Sequence, residues 1–176
     1  MLKRLKKTTN ASDLIWALRV SSMKVPVGLN KRGSKIKFKT YLPSEVMDRH
    51  LEILDNTEHS VFFSSNTAID LKFVDRISRV ILFSAEEEWY VICNARIYVD
   101  KQGGEFVPQE ANAENQVEPW IDEPRTTWIE LLDYRQIFDE SELENFQLLN
   151  SNNCKNFREL VKSNARFTRV YCVQKN

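Results

Sequence analysis

Residues 79–99 constrain the fold of this chain more than any other stretch. Arg79-Val80-Ile81-Leu82-Phe83-Ser84 carries a continuous apolar run, the pattern of a strand buried on both faces. The acidic group Glu86-Glu87-Glu88 interrupts it, and Trp89-Tyr90-Val91-Ile92-Cys93-Asn94-Ala95-Arg96-Ile97-Tyr98-Val99 resumes it with aromatic and β-branched residues. Two such runs on either side of a polar turn predict a β-hairpin.

Other segments fall into place around it. Residues 36–42 (Ile-Lys-Phe-Lys-Thr-Tyr-Leu) alternate strictly, which predicts a half-buried strand. Residues 60–64, 126–132 and 166–173 read as further strands. Pro43-Ser44 opens a helix in which Val46, His50, Leu51 and Leu54 recur at helical spacing up to Asp55-Asn56. Ser12-Asp13 predicts a capped short helix over Leu14 to Val20, and residues 141–149 and 156–162 predict two more. Lys24 to Lys35 has Pro, two Gly and four cations without a period and reads as a loop. Residues 100–124, rich in Gly, Asn, Gln and Glu, form a long connection of the kind that is usually functional or disordered. About six strands with short helices and no regular βαβ alternation predict an α+β class with a small curled sheet and disfavour a Rossmann-type fold. A length of 176 residues suits one domain. The expected division is a basic N-terminal arm with a short helix over 1–34 and the domain over 35–176.

The formal net charge is zero, with 25 basic and 25 acidic side chains, and on its face that argues against nucleic acid. The charges are nevertheless sorted along the chain. Residues 1–40 hold 11 basic side chains and the single acid Asp13, residues 86–146 hold 16 acids against Arg96, Lys101, Arg125 and Arg135, and residues 147–176 are basic again. Sorted charge can gather into a field on one face of a fold, so the expectation is a dipolar domain with one basic face. No apolar run approaches the roughly 18 residues of a membrane span. The basic start Met1 to Lys7 runs into Thr8-Thr9-Asn10 rather than an apolar segment. Cys93, Cys154 and Cys172 are odd in number and widely spaced, which fits reduced thiols in the cytoplasm or nucleus. A membrane is not expected as a partner.

Catalytic signatures are missing. The chain has no GxxxxGK[ST], GxGxxG or GxSxG. Neither His50 nor His59 stands at ligand spacing from a cysteine, so no metal is expected. His50 lies on the apolar stripe of its helix and reads as a satisfied core histidine. Glu86 to Glu88 and Asp139-Glu140 read as solvated or helix-terminal acids. No enzyme and no cofactor is expected. What remains is aromatic and basic. Trp128, between Thr127 and Ile129, reads as core. Trp120, in the polar stretch Glu118-Pro119-Trp120-Ile121-Asp122, is equally a loop anchor or a platform for a flat ligand such as an unpaired base.

In order along the chain, these blocks resemble the YTH domain, the PUA-like module that reads N6-methyladenosine in RNA. Ser60-Val61-Phe62-Phe63-Ser64-Ser65 is similar to the family's G-[VI]-W-[SCA]-[ST]-[ST] segment. Val80 to Ser84, the three acids and Val91 to Ile97 resemble its V-[IY]-L-[IL]-F-S and G-x-A-[RE]-[LM] elements. Trp120 followed by Trp128-Ile129 resembles a cage wall ahead of a W-I strand. Leu149-Asn150 and Ser163-Asn164-Ala165-Arg166 resemble the closing L-x-N and S-R-D elements. The likeness covers roughly residues 36–173 and implies a PUA-like curled mixed sheet or open barrel flanked by short helices.

It also implies a function: an RNA-binding reader of a modified base, most simply N6-methyladenosine on a single strand. Phe62 falls on the first cage wall, Phe63 on the residue whose backbone receives the N6 proton, and Trp120 on a second wall. Lys39 and Arg166 match the family's phosphate-side cations, with Lys37, Arg169 and the arm from Lys31 beside them. Methylation removes an N6 donor and adds an apolar group, so a dry aromatic cage favours the modified base. Phe62 replaces the family's Trp and Phe167 its acid. An EVE-type reader of modified bases in DNA accommodates such changes. So does a YTH-like fold without a working cage, acting as an RNA- or protein-interaction module elsewhere; a protein-interaction module would use the acidic stretch 105–123 as its binding surface.

Overall fold

A computed structural model describes residues 13–29, 32–33, 35–149, 153–163 and 170–175. The expected hairpin is its centre: β5 (Ile77–Ser84) and β6 (Trp89–Val99) pair antiparallel, with Val80 opposite Cys93 and Phe83 opposite Tyr90. Seven of the eight residues from Ile77 to Ser84, all but Ser78, are buried. Covering both faces of a strand is the arrangement its composition requires.

Around this hairpin stand β1 (Leu14–Arg19), β4 (Val61–Ser65), β7 (Thr127–Leu131), β9 (Phe146–Leu148) and β10 (Val170–Gln174), in the order β4-β7-β6-β5-β1-β10-β9, and β8 (Arg135–Ile137) pairs with β6. Only β1 and β5 run parallel among these pairs. The sheet is not a closed barrel, since β4 and β9 are its two ends. The class is mixed α+β with a large, mostly antiparallel sheet. Its two faces bury different sets. Leu14, Trp16, Val80, Leu82 and Cys93 lie in one apolar cluster with helix α1 (Pro43–Asn56), whereas Ile15, Ala17, Ile81 and Phe83 share another with α2 (Phe157–Lys162). Alternating side chains from the same strands supply both clusters.

Several expectations need correction. Leu14 to Val20 is no helix: Leu14–Arg19 is the strand between β5 and β10, with Leu14 to Leu18 almost wholly buried. A short apolar run has no period that separates a buried strand from a helix, and pairing on both edges overrides the local Ser-Asp cap and the helix-favouring Leu and Ala. The segment expected as part of an arm therefore lies in the middle of the sheet. Lys24 to Lys35 is not a loop throughout, because β2 (Met23–Leu29) pairs antiparallel with β3 (Ile36–Tyr41) in a separate two-stranded ribbon. Pro26 is tolerated because a two-stranded ribbon has only edge strands. The register slips between Pro26 and Gly28, and Gly28 takes the positive φ of 143° that this irregularity uses. Residues 141–149 divide into a 3-10 turn over Glu140–Asn145, capped by Asp139 accepting from the Ser141 N–H, and strand β9. Phe146 and Leu148 alternate inward against β10, which outweighs continuing the helix.

The long connection is built by its own polar side chains. Asn115 Nδ2 donates to the Glu110 carbonyl, Gln116 Nε2 to the Asn112 carbonyl and to Asp122, and the Asp122 N–H to Gln116 Oε1. Amide side chains that bond nearby backbone substitute for a helix or a ladder. Among the described residues no helix is long and apolar enough to cross a membrane.

Candidate nucleic-acid interface

Alternation along the ribbon sorts its side chains. Lys37, Lys39 and Tyr41 leave β3 on one face, and Ile36, Phe38 and Thr40 on the other. Of the first set Tyr41 alone is buried, where it reaches the main core at the root of the ribbon. Lys24, Lys35, Lys37 and Lys39 are exposed, and no acid occurs between Asp13 and Glu45. These four lysines place basic charge along the ribbon, Lys37 and Lys39 on one face and Lys24 on the other.

At the root, two cations meet one ring. Lys39 Nζ lies 4.8 Å and the Arg49 guanidinium carbon 4.7 Å from the Tyr41 centroid, both within cation–π range. Arg49, from α1, also donates to the Glu118 carbonyl at 3.3 Å, tying the helix to the Trp120 loop. Neither cation makes an ion pair among the described residues. The helix start beside them is held from outside: Glu87, in the β5–β6 turn, accepts the Ser44 N–H at 3.0 Å and its hydroxyl at 2.7 Å. Burial works to raise the Glu87 carboxyl, but bonds from Ser44, Trp89 and Ser84 outweigh it and hold it below the usual carboxylate range.

Tyr41 meets the Trp120 ring edge-on at 5.4 Å, and Trp120 lies nearly parallel to His50 at 6.4 Å. His50 in turn touches Phe63 at 4.9 Å. Phe63, Trp120, His50 and Tyr41 are therefore one aromatic cluster, each ring under 10% exposed. Burial pushes the His50 imidazole down to about 4, against the bond between its Nδ1 and the Val46 carbonyl. It is the satisfied core histidine that its place on the helix stripe predicts.

Phe62 goes elsewhere. Neighbouring residues of a strand face opposite sides, and the Phe62 ring packs on Tyr98 and Trp128 at 5.7 and 6.2 Å. The long connection lies over that side, where Trp128 Nε1 donates to the Phe106 carbonyl and the Phe62 N–H to the Asn115 carbonyl. Glu130 is buried next to it, accepting from Ser60 at 2.6 Å and from the Tyr98 hydroxyl at 2.9 Å. The structure brings Phe63 and Trp120 together through His50 and leaves Phe62 apart from both. Trp128 is core, as expected. Arg166 and Arg169 lie outside the described residues.

The sequence pattern had not singled out Tyr41, Arg49, Tyr98 or Glu130. Arg49 is readable only once α1 is placed beside the ribbon, three elements of chain being needed to form the contact. Burial pushes the Cys93 and Cys172 thiols up, the latter to about 12, so neither is a ready nucleophile or ligand. No group of three or more His, Cys, Asp or Glu side chains that could hold a metal ion occurs among the described residues. No protein family, curated protein or solved structure matches the chain.

Proposed function

We propose that this chain binds RNA, with the β2–β3 ribbon and the adjoining end of α1 holding the phosphate backbone. One observation carries this reading: Lys39 and Arg49 converge on Tyr41 without carboxylate partners among the described residues, at the root of a ribbon whose charged residues are all basic. A backbone contact needs cations that are not already neutralised. The finer form is a reader of N6-methyladenosine, and it rests on Trp120 and Phe63, which share one cluster beside those cations. Phe62, on the other face, is not part of it. For a base to enter, the His50 ring that contacts both walls has to yield. The protein then acts by recognition alone, without turnover.

Binding of a labelled single-stranded oligonucleotide, with one adenine methylated or plain, tests both levels. Affinity should fall as salt rises, and Lys39→Gln and Arg49→Gln should each reduce the slope of log affinity against log salt by about one. Trp120→Ala should remove a preference for the methylated strand. Equal wild-type affinity for both strands overturns the modified-base reading, and an absence of salt-dependent binding overturns RNA binding itself. Equal competition by DNA instead favours the EVE-like alternative.

A further inference from the structure

Eight large hydrophobic side chains are conspicuously exposed among the described residues, and four of them, Val27, Leu29, Ile36 and Phe38, belong to the ribbon. Two of the eight are aromatic. Phe138 is 84% exposed but stands beside Asp139 and Glu140, whose charge repels a phosphate chain. Phe38 is 55% exposed, lies opposite Pro26 and is flanked in sequence by Lys37 and Lys39. An uncovered ring within a field of cations is the combination that single-stranded nucleic acid uses, stacking a base on the ring and running its phosphates past the charges.

We propose that Phe38 is a stacking platform for an unpaired base, so that the ligand of the ribbon is a single strand rather than a duplex. The inference rests on the RNA-binding reading above and adds to it the residue and the strand form. The flat face of a base is free only when the base is unstacked, and a duplex covers it. Pro26 is the cross-strand neighbour of Phe38, and Ile36 stands two residues along the same face. Lys24, exposed and paired with Thr40, shares the face of Phe38 and Ile36 and stands where the phosphates beside a stacked base would run, while Lys37 and Lys39 carry the charge of the opposite face. Charge favours this occupant over a second ribbon, since two ribbons would bring like charges together.

The full chain is titrated by fluorescence anisotropy with a labelled single-stranded RNA and with a hairpin duplex of the same composition, over a salt series. The single strand should bind more tightly. Phe38→Ala should weaken single-strand binding by roughly fivefold to a hundredfold without changing the salt slope, and Phe38→Trp should restore it. Circular dichroism should show both variants folded as the wild type, because the side chain is more than half exposed. Wild-type affinity in Phe38→Ala, or equal binding of the duplex, overturns the platform; if Lys39→Gln still weakens binding there, the RNA-binding reading stands without it. No salt-dependent binding of either RNA overturns both. Phe38-dependent partition onto phosphatidylserine vesicles, with no binding of RNA, also overturns the proposal and makes the ribbon a lipid-facing surface.

Discussion

Two of the antiparallel strand pairs, β5–β6 and β2–β3, differ in almost everything except their hydrogen bonding. In the β5–β6 hairpin, Ile81, Leu82 and Phe83 have no exposed surface, and β1, β7 and β8 continue the sheet beyond its edges. In the β2–β3 ribbon, Ile36 and Phe38 are more than half exposed and no third strand joins among the described residues. An isolated two-stranded hairpin is marginal in water, and additional strands or a covering layer are what make such a pair stable. The difference lies in what fills the second face. The central hairpin offers apolar residues on both sides and attracts α1 and α2, while the ribbon alternates apolar residues with lysine and is anchored through Tyr41, Met23 and Val25 at its root. One pair carries stability; the other leaves its side chains available for contact.

A phenylalanine in each pair turns this contrast into the largest expected effect. Phe83 is fully buried, stacks on Tyr90 at 6.1 Å and meets Phe157 edge-on at 5.1 Å. Phe83→Ala should lower unfolding free energy by about 3–5 kcal/mol, the usual cost of a large cavity in a core. A urea titration with an unchanged m-value measures it. A loss below about 1 kcal/mol would mean that the centre of the sheet collapses around the gap or is not packed as described.

That same contrast explains how far sequence reading reached. Continuous apolar runs and a helical stripe mark β5, β6, β7 and α1, because those patterns report burial directly, and a capping residue marks α2. The strand over Leu14–Arg19 is not legible in the sequence, since its six residues are compatible with either period and only its neighbours β5 and β10 decide. Alternation over residues 36–42 correctly marked a strand, yet it could not say whether the apolar face is covered; that depends on which elements reach it. The aromatic site divides for a related reason. Adjacent Phe62 and Phe63 face opposite ways on a strand, and which of the two rings shares a side with Trp120 depends on the packing of α1 and the long connection rather than on local sequence.

Between the two pairs lies α1, and the next effect tests that junction. His50 contacts Phe63, from the main sheet, and Trp120, which meets Tyr41 at the ribbon root. Its pKa is about 4 in the fold against an ordinary value of 6.5. As pH falls from 6.5 toward 4, the unfolded chain takes up a proton that the folded one refuses, so the unfolded state binds more protons and stability drops. The contribution is complete above pH 6.5, amounts to about 3 kcal/mol, and is lost by about pH 4. His50→Gln should flatten this part of the profile in denaturant titrations between pH 7 and 4. An identical pH dependence in the variant would remove His50 as its source.

The smallest effect closes the comparison from the ribbon side. Ile36 is 57% exposed and pairs with Leu29 at the far end of the ribbon. Ile36→Thr keeps a β-branched side chain that suits a strand and removes little buried area. Unfolding free energy should change by less than about 0.5 kcal/mol, the range of surface substitutions. The same titration that detects Phe83→Ala should therefore find nothing at Ile36. A loss of about 2 kcal/mol instead would mean that the apolar face of the ribbon is covered in solution; repeating the measurement over a range of protein concentrations then shows whether a second copy covers it, because that loss would grow with concentration.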